Sequence, residues 1–177
     1  MPAASTFVRK LNEQVANEFA AHQQYVACAV YFDAKALPQL AGFFYRQALE
    51  ERSHAMMMIR FLLDTGAEVT TPGVEAPRAG FCDVVEPVAL ALEQERRVSE
   101  QINELAATAR DERNYPAEQF LQWFIAEQIE EVATMSDLLQ VAERSRDHVA
   151  EIEGFLAREH PGGDGETDAG APKAAGA

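Results

Sequence analysis

The chain has 177 residues, roughly one domain, and its 15 Lys and Arg against 29 Asp and Glu leave a formal net charge of −14. That balance excludes a nucleic-acid surface, which needs clustered cations to neutralise phosphates. With 47% hydrophobic residues the chain is too apolar for disorder, and a chain of this length buries about 70% of its unfolded surface.

The longest uninterrupted apolar run, Val26 to Phe32, is far short of the about 20 residues that span a bilayer. The N-terminal string MPAASTFVRK lacks an apolar signal segment, so no membrane partner and a cytoplasmic location are expected. Cys28 and Cys82 are too few for a disulfide framework and too far apart for a C-x-x-C site, and both are expected to be small buried residues.

Glycine and proline, each costing about 1 to 3 kcal/mol inside a helix, mark the element boundaries. Neither occurs between Ala3 and Leu37, which predicts a first long helix; only Gly42 interrupts Gln39 to Thr65, which predicts a second. The stretch GAEVTTPGVEAPRAGFC, Gly66 to Cys82, is a long irregular connection. The windows from Val88 to Tyr115 and from Ala117 to Glu153 predict the third and fourth helices, with a tight turn at Asn114 and Tyr115 and Pro116 at a first helical position. A short fifth helix is expected from Ser145 to about Glu159, where HPGG ends it. Residues 1–160 then form one domain, and the Gly/Ala-rich stretch 161–177 is expected to be a disordered tail.

A helix of about 28 residues is about 42 Å long, and helices of that length pack side by side as a bundle. The long connection lets the chain cross the bundle, so that the third helix starts at the same end as the second. The expected fold class is therefore all-α: a four-helix bundle of two hairpins with a long crossover between helices 2 and 3 and a short fifth C-terminal helix.

Steps of three and four residues give each helix an inward stripe. These read Leu11, Val15, Glu18, His22, Tyr25, Ala29, Phe32; then Leu40, Phe44, Gln47, Glu51, His54, Met58, Phe61. The third is Val88, Ala91, Glu95, Val98, Ile102, Leu105, and the fourth Phe120, Phe124, Gln128, Glu131, Met135, Leu138. Each is apolar at both ends with a carboxylate near its middle. Any one glutamate could lie at a stripe's edge in solvent, but four at matched depth would repel one another and lose hydration, costing several kcal/mol each unless protonated or bound to a cation. No cationic side chain shares these stripes, so a metal is the economical partner. Glu51-x-x-His54 sets a carboxylate and an imidazole on one face with Cβ atoms about 5 to 6 Å apart, and an oxygen-rich set with one imidazole suits iron or manganese. Carboxylates paired with Glu-x-x-His on facing helices are the known pattern of ferritin-like di-iron bundles.

The strings NEFAAHQQY around Glu18, EERSH from Glu50 to His54, INELA, and NYPAEQFLQWFIAEQIEE from Asn114 to Glu131 resemble those of the bacterial non-haem ferritins, over roughly Phe7 to Glu159. The resemblance implies a first iron site from Glu18, Glu51 and His54, with Glu51 bridging to a second from Glu51, Glu95 and Glu131, and Gln128 alongside. It implies a looser third site from Glu50, Glu127 and Glu130, turned toward the shell interior, and it matches Tyr25 to a tyrosine beside the first site and Trp123 to a nearby tryptophan. It further implies a homo-oligomeric shell, a 24-mer, in which Fe(II) is oxidised by O2 or H2O2 and stored as ferric mineral. Two departures sharpen it. No histidine follows Glu127 by three, so the second site has no imidazole, and Arg52 stands where bacterioferritins place their haem-ligating methionine, so no haem is expected.

Other residues have plainer readings. His22 is expected to be a hydrogen-bonded residue beside the site or in the core, and Met56, Met57 and Met58 to fill core and edge. Glu118 resembles an iron-entry channel position of animal ferritins, but Leu121 is apolar where those carry another carboxylate, so the sequence assigns no channel residues. The alternatives are a non-storage di-iron or manganese–iron oxidase or peroxidase, disfavoured by the missing second E-x-x-H, and a structural bundle with chance inward carboxylates. A third, cargo for a larger compartment, is weakened because DAGAPKAAGA lacks an apolar Leu-rich patch.

Overall fold

A computed structural model describes residues 5–162 and 170–176. Its five helices are α1 (Thr6–Asp33), α2 (Pro38–Asp64), α3 (Val85–Asp111), α4 (Tyr115–Arg144) and α5 (Val149–Glu159), and the described residues include no strand. α1 packs chiefly on α2 and α3 on α4, two antiparallel hairpins, while α5 lies across α2 and α4.

The helix ends are set by local chemistry. Ser5 Oγ accepts from the Val8 N–H at 3.3 Å to cap α1, and Asn114 Oδ1 accepts from the Ala117 N–H at 3.2 Å to cap α4. Pro116 is in the first turn of α4, one residue after its start at Tyr115 rather than at the first position. At the other ends, three helices close by the same device: the N–H of Leu37 bonds the Phe32 carbonyl, that of Ala67 the Leu62 carbonyl, and that of Asn114 the Ala109 carbonyl. The residue before each donor has positive φ, namely Ala36 (56°), Gly66 (70°) and Arg113 (56°). Two of these are not glycine, so their left-handed backbone costs about 1 to 2 kcal/mol and was invisible to a search for breakers.

α5 starts at Val149, four residues later than expected. Buried Ser145 ends α4 and its hydroxyl donates to Glu151 Oε2 at 2.7 Å, which holds the chain in a turn before the helix resumes. Glu153 on α5 accepts the Leu40 and Gln39 N–H groups at 2.8 and 3.0 Å, placing a carboxylate on the positive N-terminus of α2.

The crossover between α2 and α3 runs along α1. The Asn12 side chain donates to the Glu68 carbonyl and accepts from the Thr70 N–H, and Gln24 does the same with the Arg78 carbonyl and N–H. Two amide side chains three helical turns apart thus fasten the crossover as backbone would. Cys28 is buried as expected, but Cys82 is exposed: it sits at the crossover's end, its N–H held by Glu86 at 2.8 Å. Of the stretch expected to be disordered, residues 163–169 and 177 lie outside the described residues. Residues 170–176 are packed rather than free, with Ala171 and Ala174 against the core and the Ala175 N–H donating to the Met56 carbonyl at 3.0 Å.

The apolar core is divided in two. One cluster gathers Phe32, Leu40, Phe44, Val88, Met135 and Leu138 with Ile152 and Leu156 of α5. The other gathers Phe7, Leu11, Val15, Met58, Leu62, Ile102, Leu105 and Phe124. The polar middles of the four stripes lie between them.

Candidate metal centre

The belt between the clusters is built from one carboxylate per long helix. Glu18, Glu51, Glu95 and Glu131 are all buried, as are His54, Gln128 and Tyr25. Their depth follows from the stripe: an apolar residue one or two turns away on either side packs into a cluster and carries the glutamate inward with it.

Ligand atoms of Glu18, Glu51 and His54 all lie within 4.8 Å of one another. His54 Nδ1 is 3.7 Å from Glu51 Oε2, beyond hydrogen-bond length, so neither group satisfies the other. The imidazole is held edge-on by Trp123 and Phe124, at ring separations of 5.6 and 5.7 Å. Glu95 and Glu131 lie outside this tight group. Even so, the charges of Glu95, Glu18 and Glu131 all act on Glu51.

Glu95 is fixed from two sides. The Tyr25 hydroxyl donates to its Oε1, and the Gln128 amide donates to its Oε2 at 3.1 Å. Tyr25 therefore hydrogen-bonds the carboxylate that the resemblance assigned to the second site, and the charge of Glu51 acts on it as well. Glu18 is oriented by Gln14, whose amide donates to Oε1 at 2.8 Å and whose oxygen accepts from Asn17. Gln14 was missed at the sequence level, because a glutamine four residues before an inward glutamate reads as a stripe's edge. His22 hydrogen-bonds the Ala48 carbonyl through Nδ1 at 2.6 Å, tying α1 to α2 without reaching the carboxylates.

Three buried carboxylate oxygens, Glu18 Oε2, Glu51 Oε2 and Glu131 Oε2, have no hydrogen-bond partner. Burial, then the neighbouring Glu95, holds the Glu51 carboxyl well above its usual range, and the same causes raise Glu131. Burial pushes Glu95 up to about 7, against the opposing bonds from Tyr25 and Gln128. His54 is lowered by burial and stays neutral, able to offer a lone pair. Such a cluster is costly as anions and unsatisfied as acids. A cation supplies the missing charge and completes the open lone pairs.

Glu50, Glu127 and Glu130 come together elsewhere. With Glu131, Arg46, Gln47 and His160 they line an open pocket of about 370 Å³ between α2, α4 and the end of α5. Glu131 belongs to both places. Gln47 donates to Glu50, and burial raises the Glu50 carboxyl despite Arg46 nearby.

A family model described as the ferritin-like domain matches residues 8–145. The chain belongs to the ferritin family. This ferritin is 54% identical over 149 residues to Ferritin BfrB of Mycobacterium tuberculosis, covering 84% of this chain and 82% of that one. It is 49% identical over 166 residues to Ferritin BfrB of Mycolicibacterium smegmatis, covering 94% and 91%. With a bacterial non-heme ferritin of Staphylococcus aureus it shares 34% identity over 130 residues, covering 73% and 78%. Among solved structures, an open pore ferritin from Archaeoglobus fulgidus superposes with a TM-score of 0.84 at 28% identity, covering 88% of this ferritin and 98% of that chain. No described helix of this ferritin is long and apolar enough to cross a membrane.

Proposed function

We infer that this ferritin stores iron and that its buried belt is a ferroxidase centre, oxidising Fe(II) with dioxygen before the product moves to a mineral core. The observation that carries this reading is the set of three unpartnered buried carboxylate oxygens beside a neutral imidazole. They form a hard, oxygen-rich environment that favours Fe(III) over Fe(II).

Iron is the substrate here. Glu18, Glu51 and His54 would take one Fe(II), and Glu51, Glu95 and Glu131, with Gln128 beside them, a second, Glu51 bridging the two. Each Fe(II) gives up one electron; dioxygen takes both with two protons and leaves as hydrogen peroxide. The protein's part is to hold both ions in one water-poor site, and Tyr25 and Gln128 keep Glu95 turned toward them. Glu50, Glu127 and Glu130 form a third, looser position, and their connection to the belt through Glu131 suits transit. A 24-mer shell, a cytoplasmic location and the absence of haem belong to the same reading, the last because Arg52 replaces the methionine. The net charge of −14 helps gather cations.

The test is aerobic addition of Fe(II) to the purified protein, following oxo-ferric absorbance against time and then across a size-exclusion profile. Rapid oxidation with ferric iron retained in a large particle is expected, and Glu51→Ala and His54→Ala should each remove the rapid phase. Oxidation without retention would favour a non-storage oxidase. Wild-type rates in both variants would sink the site assignment.

A further inference from the structure

Two openings lie on opposite flanks of α4, each lined by one residue of the belt, and they differ in chemistry. The one beside α2 is the acidic pocket of Glu50, Glu127, Glu130 and Glu131, suited to cations. The one beside α3 is a groove of about 550 Å³ walled by Ile102, Ile125, Ile129 and Val132, with Gln128 in its lining.

Gln128 joins this groove to the belt. Its side chain is buried, and its amide donates to Glu95 Oε2 at 3.1 Å, to the Glu95 carbonyl at 3.2 Å and to Ser99 Oγ at 3.4 Å. The Ser99 hydroxyl itself donates to the Glu95 carbonyl at 2.9 Å. The polar atoms at the inner end of the groove are therefore engaged with one another. A hydrated Fe(II) entering there would lose water to aliphatic walls and gain no anionic ligand from them. At the rim Arg96 and Glu100 carry opposite charges and give no net pull on a cation. An uncharged, apolar molecule meets none of these penalties, and contact with the aliphatic side chains favours it.

We propose that this groove is the access and binding site for dioxygen, so that oxidant and metal reach the belt from opposite sides of α4. It rests on the ferroxidase reading above. Separate openings have a physical advantage: the acidic pocket can be crowded with Fe(II) without obstructing the oxidant, and the aliphatic groove brings dioxygen to Gln128, the partner of Glu95, where the second Fe(II) would sit.

The experiment uses the assembled full-length protein and two substitutions, Val132→Phe within the groove and Ile129→Trp at its exposed mouth, where folding is not at risk. Initial oxidation rates are measured against dioxygen concentration, Co(II) binding is titrated spectroscopically, and wild-type crystals are pressurised with xenon. Expected are xenon density against Ile102 and Gln128 and a KM for dioxygen raised at least about threefold in the variants. The rate at saturating dioxygen and the Co(II) stoichiometry should stay at wild-type values. An unchanged KM for dioxygen in both variants overturns the proposal, whatever the xenon result, and so does a matching loss of Co(II) binding. If the wild type itself fails to oxidise Fe(II), the ferroxidase reading falls, and xenon alone then decides whether the groove is a gas site, its absence being negative.

Discussion

The hydroxyl of Tyr25 on α1 donates to Oε1 of Glu95 on α3, a hydrogen bond that joins the two hairpins inside the bundle. It favours the ionised form of Glu95 and opposes the effect of burial, which by itself would carry that carboxyl further above 7. The phenol pays for none of this with exposure: burial and the charges of Glu95 and Glu51 hold Tyr25 protonated, hence a permanent donor.

Tyr25→Phe should therefore raise the pH needed for metal binding. Without the donor, Glu95 titrates above about 7, and a proton competes with the metal over a wider range. The midpoint of Co(II) binding against pH is expected to move upward, with a stability loss of about 1 kcal/mol from the buried hydrogen bond. An unmoved midpoint would show that Tyr25 does not tune the site.

The metal-free protein should lose stability as pH rises through neutrality. Glu51, Glu95 and Glu131 have folded-state values above their unfolded ones, so the folded chain holds more protons and their contribution is complete only below the unfolded value. That contribution begins to fade above about pH 4.5 and is lost for Glu95 as pH passes about 7. His54, lowered, acts oppositely but only below its usual value of 6.5. Denaturant unfolding of apo Glu51→Gln against wild type checks the sign: the variant should be the more stable by about 1 to 3 kcal/mol at pH 8, with the gap closing by pH 5. A gap that widens toward acid would contradict it.

The outer carboxylates should matter late rather than early. Glu50 and Glu130 line the open α2–α4 pocket, which shares Glu131 with the belt. Glu50→Ala and Glu130→Ala should keep the fast first oxidation but change the iron-to-oxygen ratio or slow later turnovers in stopped-flow runs. Single- and multi-turnover rates equal to wild type, with no metal beside Glu50 in iron-soaked crystals, would reduce these residues to solvated surface charge.

Protein purified from haem-replete cells should carry no stoichiometric Soret band, because Arg52 offers no soft ligand where a methionine would be needed. A band lost on mutation of Met56, Met57 or Met58 would reverse this.

The period of the stripes and the spacing of glycine and proline were enough to place four long helices, the crossover and a carboxylate at the centre of each helix, because burial and backbone strain act through local sequence. Glu18, Glu51 and His54 were legible for the same reason: one-turn spacing on α2 and matched depth on α1 leave few other places for them. Other features depended on contacts between distant segments. α1 ends by a left-handed Ala36, a residue with no local preference for that backbone, and α5 is delayed by the bond from Ser145 to Glu151. Gln14 and Ser99 acquire their roles from the carboxylate or amide they meet, and residues 170–176 lie on α2 despite a composition that specifies no packing. The division of the belt's surroundings into an acidic pocket on one side of α4 and an aliphatic groove on the other is also tertiary. Glu127 and Gln128 are neighbours in sequence, and only the packing of α4 between α2 and α3 turns them to opposite sides.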